Sequence, residues 1–208
     1  FDVGSIHYQG WFYQGTKGSN LSEAYGRNIR SGLKKGGVCW LPGGAGAMGQ
    51  MHTQLALSGE NGPSKVLVTD MDKTRIEHVR EQLGPIAAKN KIEFTLLNPA
   101  NFATPAEFDC AVHEFAPDGF DDIVMLVPVP ALVSSYAKFL KEDGLMNIFA
   151  GIPAGKEGTL PTSGIAEKGF RFIGSSGSKT EDLRHTIRMV EEGKLNPVSA
   201  LAAIGGMK

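Results

Sequence analysis

The chain has 208 residues, enough for one sizeable domain with a short appendage. Its net charge of −1 gives no electrostatic handle for nucleic acid or an anionic membrane surface, and no apolar run nears the ~20 residues of a transmembrane helix. Two cysteines, Cys39 and Cys110, make no disulfide framework, so a reducing cytoplasm is the expected location. Glycine is abundant, 27 residues against a usual ~7%, yet has no collagen-like period. The glycines sit at the ends of apolar runs, where strand-to-helix turns need them. Both ends read as cut, with Phe1 opening the chain and "AAIGGMK" closing it, so a piece of a longer polypeptide is expected.

Residues 1–19 carry aromatics and glycines without period and read as a segment that packs on something else; residues 20–208 read as the regular domain. Asn20, with Glu23 three residues on, has capping-box spacing for a helix through Tyr25 and Ile29 to Leu33, ending at Gly36-Gly37. A short apolar run, Val38 to Leu41, leads into "LPGGAGAMGQMH" and a helix to about Ser58. "KVLVTD" is a second strand, followed by a helix with Ile76, Val79 and Leu83 in phase. "IEFTLL" is a third strand. Thr104-Pro105-Ala106-Glu107 then supplies cap, first-turn proline and N3 acid for a helix. "DDIVMLVPVP", "GLMNIFAG" and "FRFIGSSG" are further strands, and "TEDLRHTIRMVEEG" is a helix with Leu183, Ile187 and Val190 on one face. Strands apolar throughout, alternating with helices, predict a doubly wound parallel α/β sheet of Rossmann type with helices on both faces. Ligands of such sheets bind at the carboxyl ends of the strands.

Gly44, Gly46 and Gly49 have the G-x-G-x-x-G spacing between a strand and a helix. The first glycine permits a tight turn, the second lets backbone N–H groups reach a phosphate, and the third lets helix and strand pack closely. Ala47 and Met48 open the helix, whose free N–H groups and partial positive charge suit a pyrophosphate. Asp70 lies 21 residues beyond Gly49 at the tip of the second strand, near the ~20 expected of a ribose-binding acid. A carboxylate there accepts from ribose hydroxyls and repels a 2′-phosphate, favouring NAD over NADP. Asp72 is expected to cap the next helix, and Arg75 either lies over the adenine or solvates the helix start. Pro128 and Val129, with Gly151 and Ile152, are placed to line a nicotinamide-ribose pocket; ordinary strand-end loops are the alternative. "GSSGS" at Gly174 to Ser178 is a second anion cradle or a turn with an N-cap.

Groups that would polarise a carbonyl or relay a proton are scarce, and no catalytic residue is assigned. Cys110 and His113 have metal-compatible spacing but no further ligands, so a core-facing cysteine is expected and no metal site. Cys39 lies within the first strand. His52 sits one turn along the glycine helix, while His78 and His185 read as solvated. His7 and Tyr8 are acid–base candidates outside the sheet, with a structural role as the alternative. Tyr136 and Lys138 are two apart, which breaks the Tyr-x-x-x-Lys pair of a short-chain dehydrogenase.

Taken in order, "LKKGG", "GGAGAMGQMH", "VLVTDMDKTRIE", the two strand ends and "RFIGSSGSKTEDLRHTIRMVEEGKL" resemble the nucleotide-binding domain of zinc-type medium-chain dehydrogenase/reductases, over about Asn20 to Gly206. "HYQG", "MGQMH" and "SGSKTEDL" are similar to the sorbose-1-phosphate reductase type within that family. The resemblance implies an NAD-linked alcohol, polyol or sugar-phosphate dehydrogenase that assembles as a homo-oligomer. It implies a separate GroES-like domain holding the zinc and much of the substrate pocket, against which residues 1–19 would pack. No residue here matches that domain's ligand set, so this chain is expected to be the cofactor half and inactive alone. Two other functions share parts of this pattern. An S-adenosylmethionine-dependent methyltransferase also has a glycine loop and a second-strand acid, although Gly49 and the late strand–helix unit oppose it. A non-enzymatic dinucleotide-sensing module would need a partner surface.

Overall fold

The computed structural model describes residues 1–26, 30, 32–58 and 61–200. The chain opens with α1 (Val3–Gln9), nucleated where the Asp2 carboxylate accepts from the Ser5 N–H at 3.0 Å and the Ser5 hydroxyl at 2.6 Å. Gly10, at φ 63°, closes it in the left-handed conformation. The remaining elements are β1 (Phe12–Tyr13), α2 (Ser22–Gly26), β2 (Val38–Pro42), α3 (Ala47–Ser58), β3 (Lys65–Thr69), α4 (Lys73–Lys89), β4 (Glu93–Leu97) and α5 (Pro105–Phe115). They continue with β5 (Phe120–Met125), α6 (Pro130–Ala137), β6 (Leu140–Ile148), α7 (Thr162–Glu167), β7 (Arg171–Ile173) and α8 (Thr180–Glu191).

One seven-stranded sheet runs in the order β1-β7-β6-β5-β2-β3-β4. Every pairing is parallel except β1 with β7, which sets Phe12 opposite Ile173 and Tyr13 opposite Phe172. The connectivity moves outward from β2 through β3 to β4, then returns to β5 on the other side of β2. That reversal is the topological switch point of a Rossmann-like sheet. Alternate residues of the strands serve opposite faces. Trp40 and Leu67 join Val3 and Ile6 of α1, Phe108 and Val112 of α5, and Val133 and Tyr136 of α6. Cys39, Leu41, Val66 and Val68 instead pack on Ala56 and Leu57 of α3 and Val79 and Leu83 of α4. Each face is thereby closed by helices, which is why these strands are apolar along their whole length.

The structure sets the segments singled out in the sequence in their local surroundings. Residues 1–13 are held to the sheet edge, with Val3 and Ile6 fully buried. The Asn20 helix is described over Ser22–Gly26, where the Asn20 side chain accepts from Ser22 and Glu23 takes the Thr16 hydroxyl. Farther on, the Lys34 N–H goes to the Asp122 carboxylate at 2.8 Å instead of a helical carbonyl. Ile29, placed in that helix by its spacing, lies outside the described residues. The Leu183, Ile187 and Val190 face of α8 is present and exposed to solvent. Thr104 caps α5 through the Glu107 N–H as its sequence requires.

Candidate functional site

The glycine loop joins β2 to α3 at the switch point, and its three glycines do different work. A Cβ on Gly49 would lie 2.2 Å from the Gly43 carbonyl oxygen, so the first turn of α3 approaches the loop at a distance only glycine allows. A Cβ on Gly44 would meet the Leu41 carbonyl at 2.9 Å, within the tight turn closed by the Gly44 N–H to that same carbonyl. Gly46 is different: its nearest neighbour would be the Gly43 carbonyl at 3.4 Å, and the Arg75 guanidinium follows at 3.9 Å. Space is therefore kept where an outside group can approach. The first intrahelical bond of α3 runs from Gln50 N–H to the Gly46 carbonyl. The N–H groups of Ala47, Met48 and Gly49 precede it and have no intrahelical acceptor.

Asp70 follows β3 directly and stands beside this loop, its Oδ1 accepting the Asp72 N–H at 3.0 Å. Asp72 caps α4 as expected, accepting from the N–H groups of Thr74 and Arg75 at 2.8 and 3.1 Å. It also holds the Arg75 side chain, Nε to Oδ2 at 3.6 Å, near the Gly46 backbone. Gly43, Gly46, Asp70, Arg75 and Pro128 line one cleft of about 780 Å³ at the carboxyl ends of the strands. That volume is within the ~300–1,000 Å³ usual for small-molecule and cofactor sites. Phe102, Thr104, Leu132 and Tyr136 complete its wall. The sequence reading missed these four, although Pro130 at the first position of α6 is a legible helix start. Burial and the nearby Asp109 carboxylate push the Tyr136 phenol up from its ordinary value. Lys138 turns from Tyr136 to pair with Asp109.

The structure separates the remaining site candidates. Val129 is partly exposed at the start of α6. Gly151 is exposed at the end of β6, beneath the Tyr8 hydroxyl. Ile152 does not reach the cleft with its side chain, which is fully buried. The cause is α1: Gly4 sits so close to this segment that a Cβ would lie 2.6 Å from the Ile152 carbonyl oxygen. His7 is buried against Tyr8 and Phe149, with ring centroids 4.8 and 5.7 Å away. His52 bonds the Met48 carbonyl and meets the other side of this region, its ring 4.3 Å from Phe149.

Cys110 faces solvent rather than the core, because Phe108, Val112 and Phe115 form the buried stripe of α5 and Cys110 lies across the helix from it. His113 is exposed too, and His185 likewise. His78 is not simply solvated, since its Nε2 is 2.8 Å from the Ser199 carbonyl. Cys39 is buried, and burial with the Asp122 charge pushes its thiol well up. "GSSGS" forms a turn through Gly177 at φ 80°, and Asp182 takes the Lys179 N–H at 2.9 Å at the start of α8. Among the described residues, no three His, Cys, Asp or Glu side chains gather as a metal site, and no helix is long and apolar enough to cross a membrane.

Sheet order, switch point and glycine loop define a Rossmann-like α/β domain. No protein-family model matches the chain. It is 34% identical over 181 residues to YggP of Escherichia coli K12, a protein of uncharacterised function, covering 86% of this chain and 42% of that protein. It is 27% identical over 180 residues to mannitol-1-phosphate 5-dehydrogenase of Aliivibrio fischeri, covering 85% of this chain and 42% of that enzyme. It is also 27% identical over 178 residues to L-sorbose 1-phosphate reductase of Klebsiella pneumoniae, with the same two coverages, 85% and 42%. The chain thus spans less than half the length of these relatives. An alcohol dehydrogenase of Escherichia coli CFT073, solved with NADH, superposes with TM-score 0.61 at 16% identity over 80% of this chain and 44% of its own. A Sinorhizobium meliloti 1021 protein, provisionally described as a zinc-binding dehydrogenase and solved with NADP, superposes with TM-score 0.61 at 19% identity over 85% and 52%. The chain is thus similar in sequence to a polyol-phosphate dehydrogenase and a sugar-phosphate reductase, and it shares its fold with dehydrogenases solved with NADH and with NADP.

Proposed function

We propose that this chain binds NAD(H) as the cofactor domain of an alcohol, polyol or sugar-phosphate dehydrogenase. One observation carries the reading: Gly44 and Gly49 leave no room for a side chain, Gly46 does, and that opening faces Asp70 across a single cleft. The pyrophosphate would sit on the N–H groups of Ala47, Met48 and Gly49, where unpaired donors and the helix dipole favour an anion. Asp70 would accept the adenosine ribose hydroxyls, which favours NAD over NADP. Arg75 would border the adenosine, and Phe102 and Leu132 offer apolar wall for a base. Pro128, Val129 and Gly151 would border the nicotinamide ribose. The bound nicotinamide supplies the hydride acceptor or donor; the residues here bind and orient it.

The names of two relatives support a polyol or sugar phosphate as substrate of the whole protein. Zinc and the substrate pocket would belong to a GroES-like domain, with residues 1–19 facing it, in a cytoplasmic homo-oligomer. The chain alone would then be inactive. Titration with NADH, NADPH and S-adenosylmethionine tests the reading. NADH should bind at least several-fold tighter than NADPH. Absence of NADH binding, or tight S-adenosylmethionine binding in its place, would overturn it in favour of a methyltransferase or another nucleotide module.

A further inference from the structure

Helix α1 is held in one position by its own packing. Val3 and Ile6 fix it over the ends of β6 and β7, fully buried. Gly4 lies against the backbone of Ile152 and Pro153, and Gly174 against the Ile6 carbonyl, with Cβ positions 2.2 to 2.6 Å from those atoms. These contacts are backbone to backbone, so the helix has no slack. Its last turn therefore hangs at a set height over the carboxyl end of β6. There Tyr8, about half exposed, brings its hydroxyl to 3.3 Å from where a Cβ on Gly151 would stand. That hydroxyl has no hydrogen-bond partner among the described residues. Beside it, His7 is 7% exposed, and its Nδ1 is buried with no partner. A buried unpartnered nitrogen costs stability unless a group absent from the chain satisfies it. Phe149 lies between the His7 and His52 rings, so the same wall reaches the helix that follows the glycine loop.

In a doubly wound sheet the first half of a dinucleotide lies over the strands on the β3 side of the switch point, and the second half over the β6 side. We propose that Tyr8 is a binding residue for the second half, its hydroxyl hydrogen-bonding the nicotinamide-bearing ribose or carboxamide above Gly151. This rests on the dinucleotide reading above and extends it to a segment outside the regular βα units. Gly151 is then glycine for a reason: a side chain there would fill the space beneath the hydroxyl.

The test uses the whole chain, with NADH and ADP-ribose as probes. ADP-ribose keeps the adenosine half, pyrophosphate and second ribose but lacks the nicotinamide ring. Adenosine diphosphate, which lacks the second ribose as well, is the third probe. Tyr8→Phe keeps the ring against His7 and removes only the hydroxyl. It should weaken NADH about five-fold, within the range of one net hydrogen bond, and leave adenosine diphosphate within about two-fold. The ADP-ribose result then assigns the partner, falling with NADH if the hydroxyl holds the ribose and unchanged if it holds the carboxamide. Equal weakening of all three ligands, or no change in any, overturns the proposal. If wild-type chain binds none of them, the dinucleotide reading itself fails and this one with it.

Discussion

The two ends of the sheet place charge in opposite ways, though β2 and β5 run through both. At the amino end, Asp121 and Asp122 of β5 are buried and consumed by the chain itself. Asp121 accepts from Lys34 Nζ at 2.7 Å and the Val38 N–H at 2.9 Å, with Lys141 at 3.3 Å. Asp122 takes the Arg30 guanidinium at 2.8 Å and the Lys34 N–H at 2.8 Å. Gly37 makes room for this, since a Cβ there would be 2.9 Å from the Asp121 carboxylate. At the carboxyl end, the donors of α3 have no acceptor in their own helix, and Asp70 spends one oxygen on a turn. Acids at one end stitch the segment before β2 to the sheet. The acid at the other end is left available. A carboxylate at a strand end is thus informative only with its partners counted.

The largest expected effect strikes the carboxyl end. Gly49→Ala places a Cβ 2.2 Å from the Gly43 carbonyl oxygen, a clash with backbone that no rotamer change relieves. A loss of about 3 kcal/mol is expected from such overpacking, visible as a lowered urea midpoint. Gly46→Ala should leave that midpoint nearly unchanged while weakening NADH. Equal stability for the two variants would erase the distinction drawn between these glycines.

Next in size is the amino end. Asp121→Asn removes the carboxylate that Lys34 and the Val38 N–H share, at a cost of about 2 kcal/mol. NADH affinity should stay within two-fold, because the cluster lies at the far end of the strands. Burial alone would push the Asp121 carboxyl up, but the Lys34 and Val38 hydrogen bonds and the Lys141 charge hold it below the usual carboxylate range. A lowered folded-state value gives stability that is present above the unfolded value of ~3.9 and lost as pH falls through the folded one. The gap between wild type and Asp121→Asn in urea midpoint should therefore be full at pH 7 and shrink below about pH 4. A gap independent of pH would assign Asp121 a packing role only.

Strands β2 to β7 were legible because buried parallel strands need apolar runs, and several of the helices between them keep their period. The loop was legible because its three glycines stand at fixed spacing: Gly44 and Gly49 answer steric demands that no other residue meets, and Gly46 keeps space open beside them. What escaped the sequence depends on long-range partners. Helix α1 has a local signal, Asp2 three residues before Ser5, but its docking on β6 and β7 spans some 150 residues of chain. Cys110 reads as a core residue by type, and only the stripe of Phe108, Val112 and Phe115 decides which side of α5 is inside. The Lys34 N–H, just past the end of the helix its spacing predicts, goes to Asp122, 88 residues away. Spacing cannot report such competition for one N–H.

The smallest expected effect is the most specific. Asp70→Ala should cost little stability, since one exposed turn hydrogen bond to Asp72 is lost, about 0.5 kcal/mol. Its effect on cofactor choice should be larger than its effect on folding. Losing the acceptor for ribose hydroxyls weakens NADH by roughly 1 kcal/mol, or about five-fold. Losing the negative charge removes the repulsion felt by a 2′-phosphate, and Arg75, 58% exposed and beside Gly46, is left as the nearby cation. The two changes act in opposite directions on the two cofactors, so the ratio of NADPH to NADH dissociation constants should fall by more than either constant moves. Measuring both constants at one ionic strength checks this, because a screened guanidinium would blunt the NADPH gain. A ratio that stays fixed while the midpoint drops would return Asp70 to the class of Asp121, an acid used up by its own chain.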